Sequence, residues 1–147
     1  MSATMSRSLI FATALVGAGF FAVQVDAEQN GVTFPPLDDL THYTTVERGK
    51  TVEHILTSED ALAAIKAGTP IPTGTHVVLV DFQDGVLDRY LVAQKTGDVA
   101  ADWQYQYFLP DQTIKLDERT DQCYSCHLSR ESDQFLFTHG DAVDFGG

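Results

Sequence analysis

Two cysteines and the histidine that follows them constrain this chain more than any other feature. Cys123 and Cys126 are its only cysteines, and His127 comes directly after the second one. This Cys-x-x-Cys-His spacing is typical of c-type haem attachment, in which each thiol adds to a vinyl group and the next imidazole binds the iron. We therefore predict one covalently attached haem c, with Cys123 and Cys126 as the attachment residues and His127 as the iron ligand.

Other uses of the cysteine pair fit the rest of the sequence less well. In an oxidising compartment the pair could form a disulfide, and His127 would then have no part in a site. A thioredoxin-like site would need its own α/β scaffold around the cysteines, and the surrounding pattern does not have that form. A structural zinc ion needs four ligands, whereas the chain has only two cysteines.

The N-terminus is typical of an exported protein. Arg7 precedes an apolar run from Leu9 to Val25, and Ala27 ends a short segment typical of a cleavage site. The run is shorter than the roughly 20 residues of a membrane-spanning helix, so a retained anchor is the weaker alternative. We predict a signal peptide over residues 1–27 and a single haem domain over residues 28–147, which lies in the periplasm without a stable membrane span.

The charge of the chain restricts its partners. It has 9 Lys and Arg residues against 21 Asp and Glu residues, which gives a formal net charge of −12. Because Arg7 and Asp26 cancel within the predicted signal peptide, residues 28–147 keep the whole excess. Such a surface disfavours nucleic acid and anionic lipid as partners, and it permits electrostatic steering towards a basic redox partner protein.

Local patterns predict an α+β fold, made mainly of antiparallel β-sheet with a few helices. A helix is indicated from Thr57 to Gly68, because a capping hydroxyl and acidic residues begin it and a glycine ends it. The sequence period then changes to that of strands. These are predicted at His76–Phe82 and Val86–Ala93, which form a hairpin, and at Trp103–Phe108.

Three weaker elements complete the prediction. Residues 37–42 are predicted to form a short helix or turn, and residues 113–116 are a candidate fourth strand. The polar stretch from Glu118 to Ser132 lacks glycine and proline, which favours a C-terminal helix that bears the haem motif. The expected order is therefore a helix, an antiparallel sheet and a terminal helix.

Aromatic side chains alternate along the last predicted strand. Trp103, Tyr105 and Tyr107 share one face of the sheet, because successive strand residues point to opposite sides. Such a stripe can be sheet core or can line a haem pocket, and the core is the more common use. Tyr43 and Phe82 are open to the same two interpretations.

The lack of methionine in residues 28–147 restricts which side chain can be the second axial ligand of the iron. Both methionines, Met1 and Met5, lie in the predicted signal peptide, so the His/Met pair of many electron-transfer cytochromes is excluded. Another histidine, a lysine or an open position remains. His139 follows His127 by only twelve residues, which makes the opposite face of the haem difficult to reach. We favour an open or weakly occupied position; the further candidate histidines are His42, His54 and His76.

In the order of its short motifs the chain resembles the cytochrome P-460 family, which includes the cytochromes c-prime-beta. The four-helix cytochromes c-prime are a poorer match, because strands are predicted between residues 76 and 108. The resemblance runs from about Leu40 to the C-terminus. Its motifs are Thr41-His42-Tyr43, Pro72-x-Gly74-Thr75, Tyr90-Leu91-Val92-x-x-Lys95, Asp102-Trp103-x-Tyr105 with Phe108 and Pro110-Asp111, the Cys123 to His127 run, and Phe135-Leu136-Phe137-Thr138.

This resemblance implies a largely antiparallel sheet with helices, often in a homodimer, and a haem whose proximal ligand is His127. Members of the P-460 type have an extra covalent bond from a lysine to the haem and oxidise hydroxylamine. The c-prime-beta members lack that bond, cap the distal face with aromatic residues and bind nitric oxide. No lysine occurs on the strand His76–Phe82, where we would look for the crosslink, so we expect the c-prime-beta type. The lysines of the chain are Lys50, Lys66, Lys95 and Lys115.

Three functions follow, and we rank them in this order. The first is binding of a small diatomic gas such as nitric oxide. The second is oxidoreduction of hydroxylamine or nitric oxide at a lysine-crosslinked haem, for which the sequence identifies no catalytic residue. The third is electron transfer. Missing methionine argues against the third function, and the lack of an evident crosslinking lysine argues against the second.

Overall fold

The computed structural model describes residues 31–147 of the chain. The predicted signal peptide, residues 1–27, lies outside the described residues. Across residues 31–147, no helix has the length and apolar character needed to cross a membrane.

In this part of the chain, five antiparallel strands form one sheet, and each strand pairs with its neighbour in the sequence. One α-helix lies between the second and third strands, and two more follow the last strand. The predicted α+β fold, mainly antiparallel sheet with a few helices, is therefore confirmed. The elements are β1 (Thr41–Arg48), β2 (Thr51–Thr57), α1 (Glu59–Lys66), β3 (His76–Gln83), β4 (Val86–Lys95), β5 (Trp103–Phe108), α2 (Asp121–His127) and α3 (His139–Asp144).

The hairpin of β1 and β2 makes the predicted element order wrong, because two strands precede the first α-helix. The turn predicted over residues 37–42 is shorter than expected: a 3₁₀ turn covers Leu37–Asp39, and His42 already lies in β1. Strands β1 and β2 were not predicted because charged side chains interrupt their alternation of apolar and polar residues. Arg48 and Glu53 form an ion pair on a face that is largely apolar, so the alternation that marks a strand is interrupted.

The helix predicted from Thr57 to Gly68 is α1. The hydroxyl of Ser58 accepts a hydrogen bond from the amide of Ala61 at 3.2 Å, which caps the first turn. Gly68 follows the helix with a φ of 66°, a conformation that glycine adopts without a steric penalty. The buried face of the helix, Ala61, Leu62 and Ile65, packs into the core beside α3.

The predicted hairpin of β3 and β4 is also confirmed. Asp84 and Gly85 both have a positive φ, 50° and 79°, as expected for a two-residue turn whose twist matches that of the flanking strands.

The C-terminal third departs from the prediction in two places. Residues 113–116 form no strand; Ile114 makes a single isolated bridge to Phe108. The helix predicted over residues 118–132 is the shorter α2, which carries the haem motif. A 3₁₀ segment, Leu128–Asp133, follows it and contains a kink at Arg130, where φ is −114°.

The two faces of the sheet are covered by different parts of the chain. On one face, Val78, Val92 and Phe108 pack beneath the N-terminal segment around Val32. The other face meets α1, α2 and α3 in the larger core cluster. A cavity lies on this second face, which we name the cavity face.

Candidate functional site

A cavity of about 620 Å³ lies between the cavity face and the C-terminal segment. Its volume is within the range of small-molecule and cofactor sites. Cys123, Cys126 and His127 all line it, so the structure brings the three predicted site residues to one space above an apolar floor. The aliphatic residues of that floor are Val46, Ile55, Val77, Leu79, Leu91 and Ala93.

His127 is the last residue of α2. Its Nδ1 lies 2.6 Å from the carbonyl oxygen of Phe135, so a metal would be bound through Nε2. The imidazole packs between the rings of Tyr105 and Phe137, with ring centroids at 4.8 Å and 5.0 Å. Burial lowers the pKa of His127, and the hydrogen bond to Phe135 offsets part of that shift. Burial thus favours the neutral side chain, which is the form that binds metals.

The two cysteines and His127 share one face of α2. The spacing from Cys123 to Cys126 and His127 is i, i+3 and i+4, which places side chains on the same side of a helix. Both thiols are free; Cys126 is exposed and Cys123 is half-buried. Burial raises the pKa of the Cys123 thiol, and a hydrogen bond with Tyr107 lowers it in part.

The aromatic stripe of β5 serves both of the roles considered for it. Trp103 is a core residue, only 2 % exposed, and does not line the cavity. Tyr105 belongs to the core and also lines the cavity, and Tyr107 lines the cavity beside the motif. Tyr43 is a core residue, whereas Phe82 packs against a histidine ring of β2.

None of the other four histidines, all of which lie within residues 31–147, lines the cavity. The rings of His42 and His54 are 5.0 Å apart and both contact the hydroxyl of Thr45 at 2.9 Å. His76 hydrogen-bonds with the N-terminal segment at 3.1 Å, and His139 begins α3. No second imidazole is therefore present among the residues that form the cavity walls.

The four lysines, also within the described part of the chain, are likewise absent from the cavity lining. Each has a contact of its own elsewhere. Lys50 pairs with Asp84 at 2.8 Å, Lys66 lies 5.7 Å above the ring of Phe145, Lys95 donates to the carbonyls of Gly97 and Val99, and Lys115 pairs with Asp117 at 2.9 Å.

A charged pair in the cavity wall was not foreseen from the sequence. Arg48 of β1 donates to Glu53 of β2, and both line the cavity. Only the placement of Glu53 among the inward residues of a strand could have indicated this, and β2 itself was not predicted. Glu53 is buried while Arg48 is largely exposed, so the pair lies where the cavity meets solvent.

The residues present fit a covalently held haem. Two free thiols and an imidazole whose Nδ1 is already engaged project from one helix face into a largely apolar cavity. Apolar walls with a few polar groups are typical of cofactor sites, and two thioether bonds plus one axial histidine are the attachment that the motif predicts.

Comparison with known proteins agrees with this geometry. A family model described as Cytochrome P460 matches residues 36–138, which include all five strands and the whole Cys123 to His127 run. No curated protein matches the chain. The family match covers well over half of the sequence. The chain therefore belongs to the cytochrome P460 family, which implies a haem cofactor.

Proposed function

We propose that this chain is an exported, periplasmic mono-haem c-type cytochrome that binds a small gas, with nitric oxide as the leading candidate. One observation carries the proposal: of the histidines and lysines in residues 31–147, only His127 lines the cavity. When bound, the haem would supply an iron that can take up nitric oxide, and His127 would be the histidine that holds this iron.

Three residues of the chain would hold the cofactor: two cysteines would attach it covalently and one histidine would bind the iron. Cys123 and Cys126 supply the thioether sulfurs, so that the cofactor stays attached after export. His127 supplies Nε2, and the carbonyl of Phe135 fixes its tautomer and ring orientation through the 2.6 Å contact with Nδ1.

Selectivity would come from the apolar floor. The side chains of Val77, Leu79 and Leu91 offer no hydrogen-bond donor. Bound dioxygen gains from such a donor, whereas nitric oxide owes most of its affinity to the iron itself. A gas that faces this floor, and not the polar groups of the cavity wall such as Arg48 and Tyr107, would therefore be nitric oxide rather than dioxygen.

The first experiment tests attachment. Thioether bonds survive unfolding and axial ligation does not, so the wild-type protein should retain haem in denaturing electrophoresis, with an intact mass of residues 28–147 plus one haem. The Cys123→Ser/Cys126→Ser variant should lose the stain. Staining that persists in this variant would contradict the roles given to the two cysteines.

The second experiment tests the open position. The ferric protein should be high-spin near neutral pH, and the ferrous protein should bind nitric oxide readily and dioxygen weakly. His42→Ala, His54→Ala, His76→Ala and His139→Ala should leave these spectra unchanged. A low-spin wild type that refuses nitric oxide, and becomes high-spin in one of these variants, would make electron transfer the leading function.

The same samples test the oxidoreductase alternative. A lysine crosslink changes the conjugation of the haem, so it would give a strongly red-shifted Soret band and an altered intact mass. We expect an ordinary c-type spectrum. A shifted band that is lost when Lys50, Lys66, Lys95 or Lys115 is replaced would restore hydroxylamine oxidation.

A further inference from the structure

The acceptor for His127 lies in an unusual stretch of backbone. Gln134 and Phe135 both have a positive φ, 53° and 66°. Such a conformation is uncommon for any residue other than glycine, and it persists only where surrounding contacts hold it. Two consecutive residues in this state place the carbonyl of Phe135 against Nδ1 of His127.

The side chain of Gln134 supplies one of those contacts. Its Oε1 accepts a hydrogen bond from the amide of Ile71 at 2.8 Å, and its Nε2 donates to the carbonyl of Thr69 at 3.1 Å. Both halves of the carboxamide are thus used on one short stretch of backbone, the loop between α1 and β3. A carboxamide can do this because it carries a neutral donor and a neutral acceptor on one group.

The loop that Gln134 binds is itself fixed. The amide of Thr69 donates to the carbonyl of Ala64 in α1 at 3.0 Å, and Ile71 is only 3 % exposed. On the other side of Gln134, the amide of Phe135 donates to the carbonyl of Arg130 at 2.7 Å. Gln134 therefore ties the turn that faces His127 to the rigid α1 side of the core.

We propose that Gln134 is a positioning residue for the axial histidine: it holds the left-handed turn whose carbonyl accepts the Nδ1–H of His127, and so sets how strongly that histidine donates to the iron. This role rests on the proposed function, because it requires His127 to bind a haem. Gln134 is not among the residues that line the cavity, and its carboxamide is engaged with the loop between α1 and β3.

The direction of the effect follows from the hydrogen bond. Donation of Nδ1–H to a carbonyl makes Nε2 more basic, and a more basic ligand favours the ferric over the ferrous iron. Removing the carboxamide lets the turn relax and lengthens the contact between Nδ1 and the Phe135 oxygen. The ferric form should then lose stability relative to the ferrous form.

The test compares Gln134→Ala with Gln112→Ala in the haem-loaded protein. Gln112 is a matched control, because it is also a glutamine in the left-handed region, with a φ of 68°, but lies in the exposed turn after β5. Two quantities are measured: the iron–histidine stretching frequency of the ferrous protein by resonance Raman, and the midpoint potential. In Gln134→Ala the frequency should fall and the ferric-to-ferrous equilibrium should shift towards ferrous by a factor of about three, because a weakened hydrogen bond changes this equilibrium by only part of its net worth.

Gln134→Glu is the second variant and keeps the test decisive if Gln134→Ala does not accumulate. The carboxylate can still accept from Ile71 but cannot donate to Thr69, so a smaller shift in the same direction is expected. An unchanged frequency and potential in the variant that folds, or an equal shift in Gln112→Ala, would overturn the role of Gln134.

Failure of this role and failure of the proposed function give different results. If the wild type shows an iron–histidine band and binds nitric oxide but the Gln134 variants match it, only the role of Gln134 is lost. If the variants shift as expected but the wild type does not bind nitric oxide, the role of Gln134 stands and the gas-binding function is lost. If the wild type has no iron–histidine band and does not bind nitric oxide, and the midpoint potentials of the Gln134 variants match its own, both are overturned.

Discussion

At the scale of single residues, Tyr43 connects the first strand to the last helix. Its hydroxyl lies 2.6 Å from that of Thr138, the residue that precedes α3. Tyr43→Phe removes this hydrogen bond without changing the volume of the core. We expect the free energy of unfolding to fall by about 1 kcal/mol, as for a typical intramolecular hydrogen bond. Urea unfolding of the haem-loaded protein measures it.

A double-mutant cycle provides the control for Tyr43. Thr138→Val removes the same hydrogen bond from the other side and keeps the branched shape. If the 2.6 Å contact is what Tyr43→Phe removes, the double variant should be little less stable than either single variant. Fully additive losses would contradict this assignment.

The same tyrosine predicts how stability changes in alkali. Burial is the largest cause that raises the pKa of Tyr43 to about 12, and the hydrogen bond to Thr138 opposes it in part. The unfolded chain ionises near pH 10. Because the folded pKa is the higher one, this contribution to stability is complete below pH 10 and is lost as the pH rises through about 12.

Tyr43→Phe should therefore lose less stability than the wild type between pH 9 and pH 11, the values at which urea unfolding would be compared. Contributions of Tyr105 and Tyr107, whose pKa values are also raised by burial, cancel in this comparison because both proteins contain them. An identical pH profile in the two proteins would contradict the assignment to Tyr43.

At the scale of elements, an ion-pair network ties β3 and β4 to the segment that leads into α2. The carboxylate of Asp81 is almost fully buried and accepts from Nε of Arg89 at 3.1 Å. Arg89 also pairs with Glu118, and its guanidinium lies 5.1 Å from the ring centre of Tyr107 in the cavity wall. The network thus fixes one side of the cavity.

Arg89→Met should be strongly destabilising, because it leaves Asp81 buried without its cation. We expect a loss of about 3–5 kcal/mol, the usual result of removing one partner of a buried pair. Lys50→Met, which breaks the exposed pair with Asp84, is the matched control and should change stability little. The double variant Arg89→Met/Asp81→Asn should recover part of the lost stability. Thermal unfolding of the wild type, the two single variants and the double variant measures these differences.

Elements with clear local signals could be predicted, and elements with mixed signals could not. The cap at Ser58 and the stop at Gly68 mark α1, and the turn at Asp84 and Gly85 marks the next hairpin. By contrast, β1 and β2 have charged residues on the side that faces the cavity, for example Glu53. A strand that faced only a hydrophobic core would have apolar residues at these positions. Sequence periodicity reports burial, and a strand that lines a site departs from it.

In the candidate site, too, residues with a local sequence signal could be predicted and residues without one could not. The spacing of Cys123, Cys126 and His127 is a local signal, so these residues could be predicted before their neighbours were known. Gln134 gives no such signal, because its partners lie more than sixty positions away in the chain. Its contacts depend on how α1 and the C-terminal segment pack, which one sequence does not determine.

At the scale of the whole molecule, the net charge of −12 predicts how the haem exchanges electrons with small charged reagents. A protein with this excess of carboxylates attracts cations and repels anions over distances set by the Debye length. That length is about 30 Å at 0.01 M ionic strength and about 3 Å at 1 M, so the effect should be large at low salt and nearly absent at high salt.

Stopped-flow reduction of the ferric protein tests this with three reagents: a reduced viologen cation, reduced flavin mononucleotide as the anion, and reduced lumiflavin as the neutral control. Raising the ionic strength from 0.01 M to 1 M should slow the viologen by about tenfold or more, speed the anionic flavin and leave lumiflavin unchanged. The opposite result for the anionic flavin would mean that Arg48 and Arg119, which line the cavity, control the local field. A basic redox partner would then be disfavoured, because partners would be guided by these arginines rather than by the acidic surface.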